Sequence, residues 1–188
     1  MSIRTSDLGF RGMAFFFRLR DLVHPRRDIL AEAGIRAGDR VLDYGCGPGG
    51  YVPDAAAMVG ETGRVYALDK HPLAVERVRR VASKQALTNV ETIHSDCRTA
   101  LPDASVDVVL LYDVFHALDD PEAVLDELHR VLKPGGTLSF SDHHMDERWI
   151  IAGVTDGHLF VLSGRGVRTY RFTRRVSTAG EAVCSGGS

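Results

Sequence analysis

The densest chemistry in this 188-residue chain lies in Val41-Leu42-Asp43-Tyr44-Gly45-Cys46-Gly47-Pro48-Gly49-Gly50-Tyr51. Four glycines within six residues exceed what a merely tight turn needs. Glycine is required where φ is positive, and where backbone must meet a ligand with no Cβ between them. Free amides in such a turn, opening a helix, would cradle an anion. Pro48 removes one of those amides, and the carboxylate of Asp43 argues for a cation instead. Asp69, followed by Lys70, can accept from two vicinal hydroxyls with its two oxygens. Asp96, followed by Cys97, is either a second recognition acid or an Asx turn. Four of the eight histidines, His71, His116, His143 and His144, fall near the same edge of the expected fold.

These residues need strands and helices to bring them together, and the patterning supplies them. Arg26–Ala33 reads as a helix stopped by Gly34. Arg40–Asp43 is a strand running into the glycine turn. A helix follows over Pro53–Val59, then a strand over Arg64–Leu68, a helix over Pro72–Gln85 and a strand over Val90–His94. Val106–Tyr112 is almost wholly apolar, as a central parallel strand buried on both faces should be. Pro121–Leu132 is an amphipathic helix ended by Pro134-Gly135-Gly136. Thr137–Ser141 is a fifth strand and Glu147–Val154 a helix. His158–Ser163 and Val167–Arg175 form a hairpin about Gly164-Arg165-Gly166. Alternation of this kind gives an α/β, doubly wound, Rossmann-like seven-stranded sheet, mostly parallel, with a C-terminal antiparallel hairpin. Ligands then bind at the carboxyl ends of the strands.

Two cofactor readings of the turn compete. Gly45-x-Gly47-x-x-Gly50, with Asp69 at a suitable distance, satisfies a dinucleotide fingerprint and would make the chain an NAD(P)-dependent oxidoreductase. Asp43-x-Gly45-x-Gly47-x-Gly49 instead resembles motif I of the class I S-adenosylmethionine-dependent methyltransferases. The resemblance extends through Asp69, Ser95-Asp96-Cys97, the stretch from Asp107 through Asp113 to Leu118, Leu132-Lys133-Pro134-Gly135-Gly136 and the last hairpin, covering residues 26–175. It is closest to the small enzymes grouped with ubiquinone and menaquinone biosynthesis. It implies S-adenosyl-L-methionine as cofactor, with Asp43, Gly45, Cys46, Gly47 and Gly49 at its methionine end. Asp69 and Lys70 would meet the ribose. Asp96 would accept from the adenine amino group, and the Cys97 amide would meet a ring nitrogen. Carbonyls near Leu111 would face the methionine ammonium.

Methyl transfer from a sulfonium needs alignment above all, and a base only if the acceptor must lose a proton. His116 after the fourth strand and His143 after the fifth are the candidate catalytic residues, although His116 could instead pack against the sheet rim and His143-His144 could open a helix. Asp113 and Asp142 with His143 offer oxygen-rich ligands for Mg²⁺, but strand-end acids have commoner uses, and no metal is expected. Tyr44 and Tyr112 read as packing or pocket wall.

The chain is 44% hydrophobic and 26% charged, with a net charge of -2. That excludes fibrous and wholly disordered classes and gives no global attraction to nucleic acid. Residues 1–40 carry eight arginines against five acids, and Arg165 to Arg175 includes five arginines and no acid. No aromatic platform for bases accompanies the second cluster, so the expected partner is a small-molecule acceptor, partly apolar. Three distant cysteines suggest neither zinc nor disulfides, and the default setting is the cytoplasm. The expected organisation is one domain over 1–176 and a flexible tail over 177–188. Within it, 1–25 is an apolar helix serving as lid, acceptor wall, homodimer contact or shallow membrane contact, without stable insertion. A non-catalytic binding module on the same fold is the remaining alternative.

Overall fold

The computed structural model describes residues 26–175; the expected N-terminal helix over 1–25 and the tail over 177–188 lie outside the described residues. Helix α1 (Arg26–Glu32) precedes β1 (Arg40–Tyr44), α2 (Val52–Val59), β2 (Arg64–Asp69), α3 (Pro72–Lys84) and β3 (Val90–His94). Then come β4 (Val106–Tyr112), a short 3₁₀ turn (Phe115–Ala117), α4 (Pro121–Val131), β5 (Leu132–Ser141), α5 (Glu147–Thr155), β6 (Phe160–Arg165) and β7 (Tyr170–Arg174). The seven strands form one sheet in the order β3-β2-β1-β4-β5-β7-β6. β3 through β5 are parallel, and β7 is antiparallel to both β5 and β6.

Alternation along the central strands builds a core on each face. Leu42, Tyr44, Val109 and Leu111 point to one side, where they join Val124, Leu128, Phe140, Ile150 and Phe172. Val41, Val108, Leu110 and Tyr112 point to the other, with Leu30, Val52, Ala55 and Val78. β4 is apolar on both sides because it has helices on both sides. The order of strands reverses between β1 and β4, so their carboxyl ends open a crevice there.

Two expectations are corrected. Pro134-Gly135-Gly136 does not follow a helix as a separate stop: α4 ends at Val131, and Leu132 already pairs with Val106. The segment bulges out of β5 before pairing resumes at Val108 and Thr137. Gly135 has φ +77°, and Lys133 Nζ binds Asp107 Oδ1 at 2.6 Å at the base of the bulge. The hairpin turn also lies later than Gly164-Arg165-Gly166. Gly164 and Arg165 belong to β6, beside a register shift, and the chain reverses over residues 166–169. The cause is tertiary. The Glu32 carboxylate accepts the amides of Val167, Arg168 and Thr169 at 3.0–3.1 Å and the Thr169 hydroxyl at 2.8 Å.

Candidate active site

The glycine turn spends its own amides. Gly45 and Cys46 both donate to Leu68 O, at 2.8 and 2.9 Å, and Gly49 donates to Cys46 O at 2.9 Å. Gly47 donates to Asp69 Oδ2 at 2.8 Å, and Pro48 has no amide to give. A pyrophosphate would find no ready donors across Gly45–Gly49. At Gly45, φ is +75° and a Cβ would lie 2.5 Å from Val114 Cγ2, so only glycine fits. At Gly47, φ is +52° and the space beyond is open, which leaves bare backbone for a ligand to approach.

Asp43 sits beneath the turn, 2% exposed, and its Oδ2 has no hydrogen-bond partner. Burial pushes its carboxyl up to about 7; neighbouring Asp69 adds to the rise and Arg26 opposes it. A buried acid with one oxygen unmet and only partly offset by Arg26 is costly, and an ammonium ion is a natural complement. Arg26, at the first position of α1, brings the other half. Its guanidinium packs where a Gly50 Cβ would stand, with Nη1 at 2.3 Å from that point, and lies 5.6 Å from the Tyr51 ring centroid. A carboxylate that repels anions and a guanidinium that attracts them together suit the zwitterionic end of an amino acid. Arg26 was not among the residues singled out from sequence. Its signal was an arginine opening the helix that precedes the turn, hidden in a basic run.

The other candidates are placed as follows. Asp69 ends β2, its Oδ1 accepting His71 N at 2.8 Å while Oδ2 holds Gly47. It thereby fixes the turn while keeping lone pairs for hydroxyls. Lys70 Nζ pairs with Asp119 at 3.0 Å, so its charge is directed across to the β4–α4 connection. Leu111 is fully buried, between Tyr44 and Phe140 in the sheet, and only its backbone can reach a ligand. Cys46 is buried; burial, then Asp43 and Asp69, push its thiol well up, so it packs rather than reacts. Asp96 is exposed in the connection after β3, and the Cys97 amide donates to Ser95 Oγ at 3.2 Å. An adenine nitrogen would take that hydroxyl's place. His71 caps α3, accepting Leu73 N at 3.2 Å on Nδ1.

At the ends of β4 and β5 the remaining histidines form a row. His116 Nδ1 lies 3.0 and 2.8 Å from the two oxygens of Asp142, and its backbone amide reaches the same carboxylate at 3.2 Å. A second pair joins His143 Nδ1 to Asp113 Oδ1. Asp113 has φ +53°, a left-handed conformation that a non-glycine residue adopts only when its surroundings impose it. The His144 ring lies between, its centroid 4.4 Å from that of His116 and 4.3 Å from that of His143. Burial would raise Asp142, but the hydrogen bond from His116 and those from the His144 and His116 amides outweigh it, holding the carboxyl below its usual value. An ionised carboxylate can only accept, so Nδ1 of His116 donates, and in the neutral ring the free lone pair is on Nε2. Beside this row opens a pocket of about 540 Å³ lined by His143, His144, Met145, Asp146 and Trp149. The Trp149 indole is 64% exposed. Among the described residues, no group of three or more His, Cys, Asp or Glu is placed to hold a metal ion. The two acids considered for Mg²⁺ each serve a histidine instead.

The sheet order and the glycine turn after β1 are those of the class I S-adenosylmethionine-dependent methyltransferases. The comparisons agree: the family described as methyltransferase domain matches residues 35–162, and the chain belongs to it. S-adenosylmethionine is therefore its cofactor, and the nicotinamide reading finds no support. A solved SAM-dependent methyltransferase from Aquifex aeolicus is 32% identical, with a TM-score of 0.70 over 79% of this chain and 86% of its own. The ubiquinone biosynthesis O-methyltransferase of Pseudomonas syringae pv. tomato is 29% identical over 166 residues, 88% of this chain and 71% of the relative. The demethylmenaquinone methyltransferase of Geobacillus stearothermophilus is 32% identical over 112 residues, 59% of this chain and 48% of its own length.

Proposed function

We propose that this enzyme methylates the hydroxyl of a small, partly apolar acceptor, with His116 as general base. The observation that carries this reading is the His116–Asp142 pair, whose imidazole lies 4.4 Å, centroid to centroid, from the ring of His144 in the wall of the Trp149 pocket. The name of the Pseudomonas relative, an O-methyltransferase of ubiquinone biosynthesis, points the same way. When bound, S-adenosylmethionine supplies a methyl group on a sulfonium. Asp43 and Arg26 would hold its amino-acid end, Asp69 its ribose, and Asp96 with the Cys97 amide its adenine. Asp142 orients the His116 ring and stabilises it once protonated, as a carboxylate does for any imidazole base. Nε2 then takes the acceptor's proton, and Trp149 with Met145 offers apolar surface to the acceptor's body. His143, with Asp113, is the more exposed of the two paired imidazoles and the second candidate base.

The cytoplasm is the proposed setting. Cys46 and Cys97 are free thiols, and among the described residues no helix is long and apolar enough to cross a membrane. A homodimer and the absence of a nucleic-acid partner belong to the same reading. The test is calorimetric titration with S-adenosylmethionine, S-adenosylhomocysteine and NAD, followed by a screen of hydroxylated aromatic acceptors read by product mass. Micromolar binding of the adenosyl ligands alone and methylation on oxygen are the expected results. Turnover confined to amine or carbon acceptors would sink the hydroxyl assignment.

A further inference from the structure

We infer that Tyr44, standing between Asp43 and Gly45, sets the purine specificity of the cofactor site through its hydroxyl. The inference rests on the assignment of Asp96 and Cys97 to adenine. Tyr44 points to the same face as Leu42, where a hydrocarbon would satisfy the core. Instead a buried phenol reaches out of β1 toward the connection after β3, two strands away in the sheet. Its hydroxyl donates to Asp96 O at 3.1 Å and toward Cys97 O at 3.5 Å. Burial, followed by the nearby Cys97 and Asp96, pushes this phenol well above its ordinary range, so it remains a donor at every working pH.

The first of these bonds matters most, because Asp96 C=O and Cys97 N–H belong to one peptide group. That group is planar and trans, so its carbonyl and its amide point in opposite directions. Tyr44 holds the carbonyl side of this peptide while its amide side donates to Ser95 Oγ at 3.2 Å, so the Tyr44 bond keeps the plane in which a base would replace that hydroxyl. The same connection is fixed a few residues later from another side. Glu127 of α4, 1% exposed, accepts Thr99 N at 2.8 Å and Thr99 Oγ1 at 2.6 Å. Arg130 binds both Glu127 and Leu101 O. Glu127 anchors the loop; Tyr44 orients the one peptide that would face the base.

Adenine and hypoxanthine separate these roles. Adenine presents an acceptor at its ring nitrogen and a donor at its amino group. Hypoxanthine presents a donor and an acceptor at the same places. An aimed Cys97 amide with an Asp96 carboxylate therefore welcomes the first and rejects the second. The experiment compares S-adenosylhomocysteine with S-inosylhomocysteine, by calorimetry, on the wild-type chain and on Tyr44→Phe. Wild type should prefer the adenosyl ligand strongly. The variant should lose about tenfold in affinity for it, the worth of one well-aligned hydrogen bond. Inosyl binding should barely change, so the preference narrows by that factor. If both affinities fall together, or neither changes, Tyr44 only supports the fold and the inference is overturned. If wild type itself fails to discriminate, the adenine assignment of Asp96 fails instead. Should Tyr44→Phe not fold, Tyr44→Leu, matching Leu42, is read in the same assay against the same two outcomes.

Discussion

Two buried aspartates at the carboxyl edge of one sheet are shifted in opposite directions. Asp43, at the end of β1, has an oxygen without a hydrogen-bond partner and a carboxyl raised to about 7. Asp142, just after β5, has both oxygens engaged by His116 and nearby amides, and its carboxyl is depressed. The protein itself supplies donors to both oxygens of the second acid; the first has only the nearby charge of Arg26 against its burial, and one oxygen that no donor meets. The contrast separates the halves of the site. One half is backbone geometry around a buried acid with an open oxygen; the other is a set of side chains already paired with one another.

The largest effect should come from the acceptor side. His116→Ala should lower kcat on a hydroxyl acceptor by about 10³-fold, within the range that general-base removal produces, with S-adenosylmethionine affinity unchanged. His143→Ala should cost less than about tenfold, since His143 is the more exposed of the two paired imidazoles. Single-turnover rates decide, and the opposite ranking would transfer the role to His143. Next comes Asp43. An acid whose folded pKa is raised holds a proton that the unfolded chain has already released. Its contribution to stability is therefore present at pH 4 and lost as pH rises to about 7. A cofactor ammonium needs the ionised form, so S-adenosylmethionine affinity should fall about tenfold per unit as pH drops below 7, with proton uptake by the buffer on binding. Calorimetry in buffers of different ionisation enthalpy measures this. Asp43→Asn should flatten the profile; a slope retained in that variant would remove Asp43 from the contrast. The smallest effect belongs to Lys70. Its ion pair with Asp119 is exposed on both sides, and such pairs contribute little. Lys70→Ala should change cofactor Kd by less than about twofold, as an equilibrium titration would show.

The cofactor side was the more legible because its chemistry is local in sequence. The four glycines, Asp43 and Asp69 declare themselves within one βαβ unit, and the apolar run of β4 announces a strand buried on both faces. The acceptor side depends on register. His116 and His143 were legible as candidates, but not that each takes an acid from beyond the other strand, Asp142 for His116 and Asp113 for His143. That crossing exists only once β4 and β5 lie parallel with Tyr112 beside Ser141. Arg26 escaped notice for a similar reason: α1 must first cross the turn to bring its guanidinium onto Gly50. The hairpin turn was misplaced because glycine spacing proposed one reversal and a distant carboxylate selected another.

That carboxylate, Glu32, joins residues up to 137 positions apart in the chain. During synthesis Glu32 precedes the residues that anchor it, 167–169, by 135–137 positions. Leu30 packs this helix on the core, and Glu32 adds its anchor only once the β6–β7 hairpin has been made. Long-range closure of this kind is entropically the most expensive and among the slowest to form. The Glu32 anchor is therefore a late contact in folding, although the helix that carries it is made before any strand of the sheet.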